Sequence, residues 1–235
     1  MIEIRPFASI GSFRNAWLNA HHHFSFGSYH DPSRMGWGAL RVWNDDEISP
    51  NSGFAPHSHQ NMEIVTFVRQ GAVTHQDDLG NEGVTRAGDV QVMHAGTGIT
   101  HAEYNREAEA TRLFQIWILP DKAGVAPGWG TREFPKTEGE GFTVMASGHE
   151  ADQQAGALPL HADARVLAAR LGPGQRIAYA PEEGRALYMV PATGGVTVNG
   201  KAAAARDGVA ITGERELLVE AGDSPAELVL VDVRA

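Results

Sequence analysis

Short extended runs set apart by turn-forming residues, with no sustained helical period, limit this chain to a mostly β fold. Its 27 glycines and 12 prolines separate runs such as Leu40-Arg41-Val42-Trp43, Ile64-Val65-Thr66-Phe67-Val68 and Leu113 to Leu119, whose β-branched and aromatic content favours strands. In the last run Leu113, Gln115, Trp117 and Leu119 fall on one face and Phe114, Ile116 and Ile118 on the other. A strand that is apolar on nearly both sides is covered on both sides. Asp78-Leu79-Gly80-Asn81 reads as a turn between strands.

The second half repeats the punctuation of the first. Gly71-Ala72-Val73-Thr74 with Arg86-Ala87-Gly88-Asp89-Val90 is echoed in order by Gly195-Val196-Thr197-Val198 with Arg206-Asp207-Gly208-Val209. Two copies of one β unit follow, each closing on apolar runs such as Leu217-Leu218-Val219 and Leu228-Val229-Leu230-Val231. The segment 121–140, rich in Gly, Pro and charge, reads as a connector and places the boundary between a first unit of residues 1–130 and a second of 131–235. Ala162 to Leu171 has helix-forming composition, and the repeat is the reason to expect a strand there.

Composition narrows the chemistry. With no cysteine there is no disulfide, zinc-thiolate site, iron–sulfur cluster or cysteine nucleophile, so a metal must sit on His, Asp or Glu. A formal net charge of -10 and no Lys/Arg cluster argue against nucleic acid or an anionic membrane as partner. No apolar stretch approaches membrane-spanning length, and the N-terminus lacks the pattern of a secretory signal, which makes the cytoplasm the expected compartment. A small-molecule partner and a monomeric state are expected.

Nine of the 11 histidines precede residue 102. His57-Ser58-His59 and His101-Ala102-Glu103 are both i, i+2 pairs, which in strands project from one face. Facing strands carrying them would gather three imidazoles and a carboxylate inside a barrel, a donor set for a divalent ion. Taken alone, an HxH pair is equally a surface pair. Glu63 shares the parity of His57 and His59 in a continuous strand and competes as a ligand, or else is an acid hydrogen-bonded behind the ligands. His94 reads as structural or solvent-facing, and His75 as lying behind the site or at the surface. In a strand His22 opposes His21 and His23, so at most one side of that triplet faces a pocket.

The stretch from Gly53 to Asn105 resembles the two cupin motifs. The first, G-x5-H-x-H-x3,4-E-x6-G, appears as His57, His59, Glu63 and Gly71, with a shorter spacing before the His pair and one extra residue before the last glycine. The second, G-x5-P-x-G-x2-H-x3-N, appears as Gly88, Gly96, His101 and Asn105, with His94 at the proline position and two extra residues before His101. Together with HHHFSFGSYHDP, LRVWNDDEI, HSHQNMEIVTFV and GDVQVMHAGTGITHAEYN, these departures resemble the pirin branch of the cupins.

That resemblance implies an all-β bicupin of two jelly-roll-like barrels. The first would bind one divalent transition metal ion (Fe, Mn, Co, Ni, Cu or Zn) on His57, His59, His101 and Glu103, and the second would be metal-free. It implies a quercetin 2,3-dioxygenase, which opens a flavonol with O2 and releases carbon monoxide, with Glu103 as general base. Two other readings stay open: a metal-binding regulatory or interaction protein without catalysis, and an oxygenase for another enol or catechol.

Overall fold

The computed structural model describes residues 1–136 and 139–235. The chain runs through β1 (Ile2–Arg5), β2 (Gly11–Arg14), β3 (Leu18–His22), β4 (Leu40–Ile48), β5 (Ser52–His59), β6 (Glu63–Gln70), β7 (Ala72–Asp77), β8 (Glu82–Arg86), β9 (Val90–His94), β10 (Ile99–Asn105), β11 (Thr111–Ile118) and β12 (Gly128–Arg132). It continues through β13 (Thr143–Ser147), the single α-helical turn α1 (Glu150–Gln154), β14 (Leu158–Pro159), β15 (Ala164–Leu171), β16 (Arg176–Tyr179), β17 (Arg185–Thr193), β18 (Val196–Val198), β19 (Lys201–Ala203), β20 (Gly208–Thr212), β21 (Leu217–Ala221) and β22 (Ala226–Arg234). No helix among the described residues is long and apolar enough to cross a membrane.

The repeat seen in the sequence is a repeat of topology. A seven-stranded sheet β12-β9-β6-β11-β4-β3-β2 faces a four-stranded sheet β5-β10-β7-β8, and in the second half β1-β20-β17-β22-β15-β13-β14 faces β16-β21-β18-β19. The edge position beside β9 is taken by β12, and the matching position beside β20 by β1. Thus residues 2–5 hydrogen-bond into the second half, and the 121–140 segment, expected to be only a connector, contributes a strand. Its glycines hid that strand from a propensity reading.

Alternation along the strands decides where each core lies. The two seven-stranded sheets turn one face toward each other: Trp43, Phe67, Phe114 and Ile116 from the first meet Val166, Tyr188, Val229 and Val231 from the second in one buried cluster. On β11 Phe114 and Ile116 enter this layer while Leu113 packs inside the first barrel. On β15 Ala164 and Val166 enter it while Leu167, Ala169 and Leu171 fill the second barrel. Helix-forming composition therefore yields to two-sided strand burial between β13 and β22.

Charge also bridges the halves. Asp45, fully buried on β4, accepts from Arg69 of β6 and, at 2.6 Å, from Nε of Arg206 in the turn before β20. Fully buried His23 shares a 3.0 Å hydrogen bond with the Tyr188 hydroxyl across the same boundary. Burial, and after it the nearby Arg34, Arg5 and Arg206, lower the His23 imidazole to about 3.

Asp45→Ala leaves the Arg69 side chain, 8% exposed, without its carboxylate, and should lower stability by about 3–5 kcal/mol. Arg206→Ala, at a side chain 32% exposed, should cost about 1 kcal/mol or less. Denaturant midpoints measure both, and an Asp45→Ala midpoint no lower than that of Arg206→Ala would contradict the assignment. His23 generates a pH dependence. The unfolded imidazole takes its proton near 6.5 and the folded one only near 3. Stability is therefore full above the higher value and falls below it, by up to about 1.4 kcal/mol per pH unit. His23→Gln should show a shallower fall in Tm across that window than the wild type.

Candidate metal centre

β10 lies between β5 and β7, so side chains of three strands meet on the inner face of one small sheet. The register sets His101 opposite His57 on one side and Asp77 on the other, and sets Glu103 opposite Phe54 and His75. β5 carries one extra residue between Phe54 and His57, where Pro56 cannot donate to the ladder, and this bulge keeps both side chains turned inward. Gly53 is needed at the same crossing: a Cβ there would stand 2.2 Å from the Glu103 carbonyl oxygen.

Nitrogens of His57, His59 and His101 lie within 4.8 Å of one another, and the ring centroids are 4.5 to 5.1 Å apart. His57 Nδ1 donates to the Ala55 carbonyl at 2.8 Å, leaving its Nε2 lone pair free. Burial first, then His57, lowers the His59 imidazole to about 4. Burial, then His57 and His59, lowers His101 to about 3. Both rings are therefore neutral at physiological pH, the form that can ligate a cation.

Glu103 is 2% exposed and reaches across the barrel to the large sheet. Its Oε1 accepts from Gln91 Nε2 at 2.6 Å and Thr66 Oγ1 at 3.3 Å, and its Oε2 accepts from Gln115 Nε2. Burial raises the carboxyl to about 7 against the lowering effect of those three donors. The donors are one row of the opposite sheet, in which register aligns His22, Asn44, Gln115, Thr66 and Gln91 on β3, β4, β11, β6 and β9. Of roughly four acceptor positions on a carboxylate, three are used; one, on Oε2, remains for a cation or a proton.

This wall opens on a cavity of about 440 Å³, within the usual size of small-molecule sites. Phe13, Leu18, Phe26, Phe54 and Trp117 give it an apolar lining, and His59 stands edge-on to Trp117 at 4.9 Å. Asp46 also faces it, 2% exposed and with Oδ1 unpartnered among the described residues. Burial, reinforced by Asp45 and Glu103, raises that carboxyl well above the ordinary range, which favours its protonated form.

The structure thus brings His57, His59 and His101 together, with Glu103 grouped on His101 and His75 within 4.8 Å. Glu63 does not join them. The chain turns at Asn61, with φ of 49°, and Glu63 begins β6 in the other sheet. There it accepts from His94 Nδ1 at 2.6 Å and the His161 amide at 3.0 Å, which gives His94 a structural partner. His75 is fully buried behind His101. In the triplet, His22 faces the cavity, bonded to Asn44 at 2.8 Å, while His21 packs on Phe7 and His23 on Tyr188. Asp46 and the polar row escaped the sequence reading because no local spacing joins them; the one signal was Gln115 between Leu113 and Trp117 on an otherwise apolar face.

The donors suit a divalent transition ion: three imidazoles, of which His59 and His101 are neutral, one carboxylate, and a buried His101 Nε2 without a partner among the described residues. Both candidate clusters among the described residues lie in the first half.

Comparison with known proteins agrees with this architecture. Residues 4–118 match the Pirin family model and residues 144–233 the quercetinase C-terminal cupin domain. A pirin-like protein of Caulobacter vibrioides is 57% identical over 233 residues, covering 99% of each chain. The quercetin 2,3-dioxygenase of Escherichia coli K12 is 38% identical over 234 residues, again 99% of each. The crystal structure of the bacterial pirin YhhW from Escherichia coli in complex with nickel(II) superposes with a TM-score of 0.93 at 38% identity, covering 100% of this chain and 99% of that one. An all-β chain of two cupin barrels with a candidate His/Glu metal site in the first, this protein belongs to the pirin family.

Proposed function

We propose that this chain is a metal-dependent dioxygenase that opens flavonols such as quercetin, with His57, His59, His101 and Glu103 holding one divalent transition metal ion. The observation that carries the reading is the cluster of three imidazoles, with His59 and His101 held neutral by burial, and a raised carboxyl beside an aromatic-lined cavity. The names of the relatives support the same substrate class. A bound divalent ion supplies Lewis acidity that favours the ionised form of an enol oxygen and a route for electron exchange with O2.

The chain's own residues do the rest. Phe54, Phe26 and Trp117 give a flat polycyclic ligand an apolar, aromatic lining to pack against. Asp46 donates to a substrate oxygen from the far side of the cavity. Glu103 takes the enol proton at the free position of Oε2, and a carboxyl raised to about 7 is matched to that task near neutral pH. Gln91, Thr66 and Gln115 fix the carboxylate so that its free lone pair does not wander. Ligation and proton transfer by Glu103 draw on the same lone pair, so a rate normalised to bound metal is the measurement that separates them.

Metal-loaded protein should bleach the flavonol absorbance of quercetin in air while consuming O2, and chelation should abolish this without unfolding the chain, whose apolar clusters do not depend on an ion. No turnover with any of Fe, Mn, Co, Ni, Cu or Zn would remove the enzymatic reading in favour of a regulatory metal protein. Glu103→Gln should reduce turnover per bound metal by about 10²- to 10⁴-fold with little change in flavonol binding; an unchanged rate per metal would refute the base. His59→Ala should weaken metal affinity by more than 10- to 100-fold, the usual loss for groups that only support a ligand. Glu63→Gln should keep near wild-type affinity, since Glu63 is engaged with His94 and His161.

A further inference from the structure

Behind His101, on the side away from His57, two buried groups have no place in the chemistry above. His75 of β7 is fully buried, and its Nδ1 lies 3.4 Å from His101 Nδ1. Its other nitrogen, Nε2, lies 3.1 Å from Asp77 Oδ2. Trp129 of β12 stacks on the His75 ring at 4.8 Å and an interplanar angle of 5°. Gly83, opposite His75 on β8, makes room for that indole: a Cβ there would lie 2.3 Å from it. The His75 ring is thus clamped in one plane, with one nitrogen on a carboxylate and the other on the imidazole of His101.

We propose that Asp77 and His75 are positioning residues that fix the proton of His101 on Nδ1 and so aim the Nε2 lone pair of His101 at a bound metal ion. The inference rests on the reading of His101 as a ligand. An ionised carboxylate can only accept, so His75 Nε2 carries the hydrogen that meets Asp77. A neutral ring with its hydrogen on Nε2 has a lone pair on Nδ1, and that lone pair can only accept from His101. His101 Nδ1 therefore carries a hydrogen, and Nε2, buried and without a partner among the described residues, is left as the bare nitrogen of a ring clustered with His57 and His59. Without the relay nothing holds the proton on Nδ1, and the tautomer with its hydrogen on Nε2, which offers N–H rather than a lone pair to a cation, becomes accessible. Metal-ligating histidines commonly donate their other N–H to a carboxylate, carbonyl or water; here a second imidazole stands between the ligand and the carboxylate. Asp77 is itself held, since Oδ1 accepts from the amides of Leu79 and Asn81 and Oδ2 from the Asn81 side chain at 2.9 Å. The turn at residues 78–81 is in this way tied to the far wall of the site.

The test combines a metal-free and a metal-bound readout. In metal-free protein labelled with 15N-histidine, two-bond 1H–15N correlations should show His101 with its proton on Nδ1 and His75 with its proton on Nε2. His101 found with its proton on Nε2 overturns the relay whatever metal does. His75→Phe keeps the stack on Trp129, and Asp77 keeps its bonds to Asn81; the variant should fold, mix the His101 tautomers and lose about 10- to 100-fold in Ni2+ affinity measured by chelator competition. His75→Gln can still donate to Asp77 and accept from His101, so it should restore the tautomer and most of the affinity. It also carries the test if His75→Phe does not fold. Wild-type Ni2+ affinity in His75→Phe, alongside lost affinity in His101→Ala, overturns the relay alone. Wild-type affinity in His101→Ala overturns the ligand reading and, with it, the consequence drawn for the metal.

Discussion

The face shared by the two seven-stranded sheets is the constraint on which the rest of the molecule depends. A β-barrel that must hold imidazoles, amides and carboxylates in its interior has less apolar volume with which to stabilise itself. The first half is in that position: its interior clusters are small, one around Leu113 and Val73 and one around Ile64 and Met93, separated by the polar row that ends on Glu103. The large layer built around Trp43, Phe114, Tyr188 and Val229 lies outside the barrel, between the halves. Apolar burial at roughly 25 cal/mol per Å² is thus supplied where it does not compete with the site. The second half provides half of that layer and a large apolar cluster inside its own barrel.

Within the first barrel, burial is the common cause of the unusual protonation states. It pushes His59 and His101 down and Glu103 and Asp46 up, so each of these four groups moves toward its neutral form. For the imidazoles that is the ligating form. For the carboxyls it stores a proton preference that an approaching cation reverses, because a 2+ charge favours the ionised carboxylate. The amide and hydroxyl donors from Gln91, Gln115 and Thr66 keep Glu103 from being an unsatisfied buried charge, which would cost several kcal/mol. Asp46 has no such set of donors: its Oδ1 is unpartnered among the described residues, and burial with the neighbouring Asp45 and Glu103 charges raises it.

The strand LRVWNDDEI shows how one segment serves both tasks. Alternation sends Asn44 and Asp46 into the cavity and Trp43 and Asp45 into the layer between halves. Asp45 there binds two guanidiniums, one from each half, and each also rides an aromatic face: Arg69 over Phe114 at 4.5 Å and Arg206 over Phe7 at 3.9 Å. The wall of the site and the clamp between barrels are therefore adjacent residues of one strand, and the position of the second barrel is coupled to the floor of the cavity through a single peptide.

Much of this was legible in the residues. Period-two spacing placed His57 with His59 and His101 with Glu103 on common faces, the double-sided apolar pattern of residues 113–118 announced a covered strand, and the ordered echo of Gly71 to Val90 in Gly195 to Val209 announced a second copy of the fold. Such features are local, and a strand's alternation is fixed by covalent geometry. What spacing left undecided was anything that depended on a change of sheet. Glu63 has the parity of His57, yet the left-handed turn at Asn61 carries it into the opposite wall and onto His94. His75 and Asp77 meet His101 only through the register of β7 on β10, and β12 is a strand only because β9 offers it an edge. The row from His22 to Gln91 spans five strands without any common spacing. The sequence by itself determined which donors the chain owns and which of them share a face; tertiary structure decided which faces meet, because register and sheet order are set by burying the whole apolar pattern at once rather than by any segment alone.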